Sequence, residues 1–127
     1  MKYLTKARFF SPLLTRCAST LLVLIFSSAA LANPYKITVL ATNISDYGGL
    51  GEWSFSAFFE GEKDSVLFDT GFKSDTVLHN VQHLGVDLSN TEKVVLSHFH
   101  SDHTGGLLVL RDYFGKINPK ALSEVYI

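Results

Sequence analysis

Nine consecutive residues constrain this chain more than any other stretch: His98-Phe99-His100-Ser101-Asp102-His103-Thr104-Gly105-Gly106. Four metal-capable side chains, His98, His100, Asp102 and His103, fall within six positions. They follow Val94-Val95-Leu96, an apolar run that reads as a buried strand. Imidazole and carboxylate are the ligands that zinc and its neighbours in the transition series accept. Residues two apart in an extended segment project to the same side, so His98 and His100 converge on one ion. Asp102 and His103 are adjacent, so a turn must aim both inward, and they are assigned to a second ion beside the first. Gly105 and Gly106 let the backbone pass close to the site without a Cβ in the way. The alternative is a histidine-rich surface loop, which needs four ligands to reach this spacing by chance.

The pattern His-x-His-x-Asp-His at the close of a strand resembles the signature of the metallo-β-lactamase superfamily. A second segment carries the resemblance further: Ser65-Val66-Leu67-Phe68-Asp69-Thr70-Gly71, an apolar run ending in an acid and a glycine turn. By that resemblance Asp69 sits behind the metal ligands and hydrogen-bonds one of them. A ligating His does need such a carboxylate or carbonyl to fix its tautomer, whereas an acid before Gly, taken alone, is a turn residue. From about Gly48 to Leu110 the chain is similar to one branch, the proteins labelled dihydropterin-ribofuranosyl-aminobenzene-phosphate synthases. The shared run is Leu84-Gly85-Val86-Asp87-Leu88-Ser89.

What the resemblance implies is an α/β chain forming the N-terminal half of an α/β/β/α sandwich, with the metals in the cleft between halves. It implies two divalent ions, zinc by default, with iron or manganese accepting the same ligands. The reaction implied is hydrolysis of a small-molecule ester, amide, lactone or phosphoester by a metal-activated hydroxide. Asp102 would orient the attacking water and accept its proton. In the family a further His, a bridging Asp and a late His come from the second half. After His103 only Asp112 and Glu124 remain, and neither matches. The sequence is therefore read as a truncated domain, inactive by itself. A half-sheet of this kind exposes an apolar inner face and an unpaired edge. The competing reading is a non-catalytic exported protein that binds metal or a partner.

Residues 1–32 read as an address. Lys2, Lys6, Arg8 and Arg16 precede the apolar run from Leu21 to Phe26, no acid occurs before Asp46, and Ala30-x-Ala32 offers a cleavage site. That is the order of a secretory signal peptide, and it predicts a periplasmic or secreted protein starting at Asn33. The apolar run is short of the roughly 20 residues that span a bilayer, so no stable membrane anchor is expected. Removing the segment takes away the only cysteine, Cys17, and with it any disulfide. Seven basic side chains then face twelve acidic ones, a net charge near −5, and without a basic cluster nucleic acid is not an expected partner.

Residues 33–127 form one domain segment with no linker or repeat. Tyr35 to Ala41 reads as a strand and Thr42 to Gly51 as a loop. Trp53 to Glu60 is a strand whose apolar face is Trp53, Phe55, Ala57 and Phe59. Gly61 to Asp64 turns it into Val66 to Phe68 as an antiparallel hairpin. Ser74 to Leu84 has helical spacing, with Val77, Leu78, Val81 and Leu84 on one arc. His79 and His83 fall on the opposite side, and the Glu expected after the first His of a helical metal pair is Asn80, so both are excluded from the site. Lys93 to Ser97 is the metal-bearing strand. Gly106 to Gly115 is a helix with Leu107, Leu110 and Phe114 inward, Asn118-Pro119 is a break, and Ser123 to Ile127 begins another strand.

Overall fold

Five short apolar runs separated by turn residues meet in one mixed sheet whose strands lie in chain order. They are β1 (Lys36–Ala41), β2 (Ser56–Glu60), β3 (Ser65–Phe68), β4 (Lys93–Val95) and β5 (Glu124–Tyr126). The computed structural model describes residues 34–127, so the expected signal segment 1–32 lies outside the described residues. β1, β2 and β3 are antiparallel neighbours, and the β2–β3 hairpin is closed by Gly61 N–H donating to Asp64 O at 2.8 Å. β4 and β5 then join in parallel. Parallel neighbours need long crossovers, and helices supply them. α1 (Thr76–His83) lies between β3 and β4; α2 (Ser101–Thr104) and α3 (Leu107–Ile117) lie between β4 and β5. This is the α/β architecture expected from the sequence.

The helices cover one face of the sheet. Leu40, Phe58, Leu67 and Val94 point from the strands into a core with Val77 and Val81 of α1 and Leu110 and Phe114 of α3. Leu67 and Val94, central in the sheet, have no exposed surface; burying such a side chain is worth about 1.5–3 kcal/mol. α1 ends where Gly85 takes φ +65, with Gly85 N–H donating to Gln82 O and Val86 N–H to Val81 O. That paired arrangement ties off the helix carbonyls and suits glycine at the left-handed position. Leu84 therefore falls at the helix end, 45 % exposed, instead of joining the buried arc.

The phase of the first two strands differs from the sequence expectation. β2 begins at Ser56, leaving Trp53 78 % exposed, and Phe58 rather than Phe59 faces the core. In β1 the core residues are Leu40 and Ala41, at a register shift, while Ile37 and Val39 are 61 % and 50 % exposed. The run Ala57-Phe58-Phe59 is apolar on both faces, so alternation alone does not say which side the helices cover. Ile37 pairs with Phe59 and Val39 with Ala57, so the second face of the sheet carries its own apolar rows. On that face Ala57 is buried, while Ile37, Val39 and Phe59 remain 39–61 % exposed.

Candidate metal centre

The parallel strands β3 and β4 end side by side, and Asp69, His98, His100, Asp102 and His103 gather just beyond their carboxyl ends, as in other open sheets. Asp69 follows β3 directly. Its backbone N–H donates to Val95 O at 2.9 Å, and its φ of +53 is a left-handed conformation that aspartate tolerates better than most residues. The turn swings the carboxylate across the end of β4, where it is only 1 % exposed. Oδ1 accepts the backbone N–H of Ser97 at 2.7 Å, and Oδ2 accepts the Ser97 hydroxyl at 2.8 Å. Oδ2 also lies 2.7 Å from His103 Nδ1.

These contacts determine which ring nitrogens are free. A buried carboxylate is an acceptor only, so His103 donates from Nδ1–H and its Nε2 is left for a metal. The Ser97 hydroxyl hydrogen is committed to Asp69, so its oxygen accepts from His98 Nδ1, 2.9 Å away. His98 likewise turns Nε2 outward. Asp69, Ser97, His98 and His103 are thus one network with two imidazoles set in the metal-binding tautomer.

The expected ligands come together. The rings of His98 and His100 lie 4.6 Å apart between centroids, and those of His98 and His103 4.2 Å. His98, His100 and Asp102 each bring a donor atom within 4.8 Å of the other two. Asp102 Oδ2 is also 3.5 Å from His103 Nε2, so this carboxylate is in reach of both histidine groups. The turn that adjacent Asp102 and His103 require is α2, a single helical turn entered from extended His100 (φ −68, ψ 147). Nitrogen and carboxylate donors with the Nδ1 atoms of His98 and His103 already occupied fit a divalent transition-series ion.

Backbone contacts hold α2 against the end of β3. Thr70 donates to His103 O from its N–H at 2.7 Å and from its hydroxyl at 3.1 Å. Gly105 N–H donates to Gly71 O at 2.8 Å and Gly106 N–H to Thr70 O at 3.1 Å. A Cβ on Gly105 would lie 1.7 Å from Phe72 O, and one on Gly106 2.3 Å from Thr70 O. The glycine pair is there because two backbone segments touch, the close approach its sequence suggested.

Two residues of this assembly were not singled out in the sequence. Ser97 had a faint signal, a hydroxyl directly before the first histidine. Glu52 had none: an acid in a polar loop far along the chain from the ligands. Its carboxylate nevertheless accepts the Phe72 N–H at 2.7 Å, the Lys73 N–H at 3.1 Å, and the Ser54 and Thr76 hydroxyls at 2.9 Å each. Burial raises its pKa, and the hydrogen bonds from Phe72, Ser54, Lys73 and Thr76 outweigh that and hold it below the usual value. His79 and His83 lie apart from the ligands: His79 Nε2 is 2.9 Å from Gly48 O, and His83 Nε2 is 3.6 Å from Asp46 Oδ2. They steady a loop.

Known proteins resemble this chain in sequence and fold. The family model for the metallo-beta-lactamase superfamily matches residues 54–122. A 7,8-dihydropterin-6-methyl-4-(beta-D-ribofuranosyl)-aminobenzene-5'-phosphate synthase of Methanocaldococcus jannaschii is 36 % identical over 59 residues, 46 % of this chain and 20 % of the relative. The crystal structure of Tm1679, a metal-dependent hydrolase of the beta-lactamase superfamily, superposes with a TM-score of 0.51 at 44 % identity. That superposition covers 58 % of this chain and 26 % of the hydrolase. The metallo-beta-lactamase FIM-1 from Pseudomonas aeruginosa in its mono-zinc form aligns over 77 % of this chain and 48 % of its own, at 16 % identity and a TM-score of 0.42. The chain thus spans about a fifth of the curated relative and about a quarter of the solved hydrolase. With the matched model covering more than half of its residues and the ligand cluster in place, the chain belongs to the metallo-beta-lactamase superfamily.

Proposed function

We propose that the protein is an exported metal-dependent hydrolase acting on a small-molecule ester, amide, lactone or phosphoester. The observation that carries this reading is the network Asp69–Ser97–His98–His103, which aims two imidazole Nε2 atoms at the same space that His100 and Asp102 face. His98, His100, Asp102 and His103 would hold two divalent ions, with zinc as the default and iron or manganese as alternatives. Bound ions of this kind supply Lewis acidity and a nucleophile at neutral pH.

The chain's own residues contribute the rest. Asp102, within reach of both histidine groups, accepts the proton that the attacking water sheds. Asp69 and Ser97 keep the imidazoles in one tautomer throughout. Beside Asp102 and His103 opens a cleft of about 270 Å³ lined by Thr42, Asn43, Trp53, Ser54 and Phe55, which gives a substrate access to the cluster. The 44 % identity to a metal-dependent hydrolase favours hydrolysis. The synthase-named relative leaves the substrate a matter for assay.

Export rests on the basic start, apolar run and Ala30-x-Ala32 site of residues 1–32. Intact-mass analysis of the protein from the exported fraction of its own cells tests this part: the expected species begins at Asn33. A metal-loaded sample of that species is then screened against carboxylic esters, lactams, lactones, thioesters and phosphoesters, with and without chelator. Chelator-sensitive turnover of any one supports the proposal. Occupied metal with no turnover across the panel overturns it in favour of a non-catalytic metal-binding protein.

A further inference from the structure

We infer that Glu52 is a positioning residue for the metal centre, acting through the turn that follows Asp69. This inference rests on the metal centre proposed above. Glu52 sits in the loop before β2 and contacts none of the metal-capable side chains. It is instead the common acceptor for four donors contributed by three separate pieces of chain. Phe72 and Lys73 donate from the backbone of the turn after β3, Thr76 from the first residue of α1, and Ser54 from its own loop.

That turn is the surface on which the ligand-bearing segment rests. Gly71 has φ +77, and a Cβ there would lie 2.9 Å from Glu52 Oε1 and 2.8 Å from Val77 Cγ2, so glycine is needed for the carboxylate to approach. Gly71 O accepts Gly105 N–H, and Phe72 O lies where a Cβ of Gly105 would be. One step back, Thr70 holds His103 O through two hydrogen bonds, and Asp69 holds His103 Nδ1. A second tie comes from the same loop, Phe55 N–H donating to Asp102 O at 3.4 Å. Glu52 therefore fixes the outer side of a turn whose inner side fixes His103, and its own loop, through Phe55, holds the backbone of Asp102.

Charge makes this arrangement specific. Both carboxylate oxygens are used as acceptors, Oε1 by Ser54 and Phe72 and Oε2 by Lys73 and Thr76. Glutamine has nearly the same shape, but its NH2 group faces donors wherever it is placed. The Glu52→Gln substitution thus breaks contacts on one side of the turn without opening a cavity.

The test uses the protein expressed from its own full-length gene. Two readouts are taken on Glu52→Gln: zinc affinity by competition with a chromophoric chelator, and the His103 Nδ1–H resonance of the metal-free protein by NMR. The expected result is native circular dichroism at low temperature, zinc affinity reduced about 10-fold, the low end of the effect of outer partners on a metal site, and a broadened or shifted His103 resonance. A lower melting temperature with unchanged affinity and unchanged resonance would overturn the inference. If Glu52→Gln fails to fold, Ser54→Ala removes a single donor, and a two- to threefold loss of zinc affinity is expected from it; wild-type affinity in that variant sinks the idea. The NMR readout needs no metal. A wild-type protein that binds no zinc would remove the proposed function, while the His103 resonance would still report on Glu52.

Discussion

Oδ2 of Asp69 lies 2.7 Å from Nδ1 of His103, across 34 positions of sequence and with the carboxylate almost fully buried. The contact does for His103 what no neighbouring residue in the chain can: it fixes ring orientation and tautomer together. Asp69→Asn suits the left-handed backbone at this position but replaces an acceptor by an amide donor. Zinc affinity should fall by about 10–100-fold, read by competition titration. A variant that melts lower but binds zinc normally would make Asp69 a turn residue only.

Ser97 passes the same constraint on to His98. Ser97→Ala leaves the backbone N–H bond to Asp69 intact and deletes only the hydroxyl that links Asp69 to His98 Nδ1. The same oxygen lies 3.3 Å from His103 Nδ1, but the shorter 2.7 Å bond to Asp69 remains, so the expected effect is weaker metal binding with only a small shift of the His103 Nδ1–H signal. Nitrogen-15 NMR of the His98 ring should show mixed tautomers in this variant and one tautomer in the wild type.

His100 is the exposed member of the cluster, and among the described residues no hydrogen bond holds its ring. His100→Ala should therefore reduce bound metal while leaving the fold unchanged. Metal content by mass spectrometry and thermal melting of the metal-free protein read these separately. Full metal content in the variant would remove His100 from the ligand set.

Gly105 answers a steric question. Its φ of −63 suits any residue, so only the 1.7 Å approach of Phe72 O forbids a side chain. Gly105→Ala must push α2 off the turn, at a cost of about 1–3 kcal/mol for overpacking, measured by denaturant unfolding. Metal affinity should fall with it, because His103 and Asp102 travel on the displaced segment.

Glu52 also gives stability a pH signature. Its pKa is held below the usual 4.5 in the folded protein, so its contribution is fully present above that value. The contribution is lost as pH falls through the folded pKa. Wild type and Glu52→Gln should differ in stability at neutral pH and converge as the medium is acidified below about 4.5. Parallel curves down to strong acid would contradict this.

The ligand cluster was legible because its chemistry is written in one contiguous stretch, His98 to His103, and the turn demanded by adjacent Asp102 and His103 exists as α2. Most elements were legible too, since Val77, Val81, Leu110 and Phe114 carry helical spacing into the core. The facing of β1 and β2 was not, because Ile37, Val39 and Phe59 are as apolar as Leu40 and Phe58. A sheet with two apolar faces gives no alternation to read. Glu52 was invisible for another reason: three of its four partners lie 20 to 24 residues away, and two of those are backbone N–H groups, which leave no mark on a sequence.

The close contact between the Asp69–Phe72 turn and the segment carrying His103 has a further consequence, which concerns the order of events. Domains that are unfolded without metal draw their folding energy from the ion. Here the backbone bonds of Thr70, Gly105 and Gly106, and the buried Asp69 beneath them, shape the cradle from protein alone. An arriving ion would meet the His98 and His103 imidazoles already turned toward it, leaving less conformational entropy to be lost on capture. The demetallated protein should accordingly keep its fold and take metal up again without refolding.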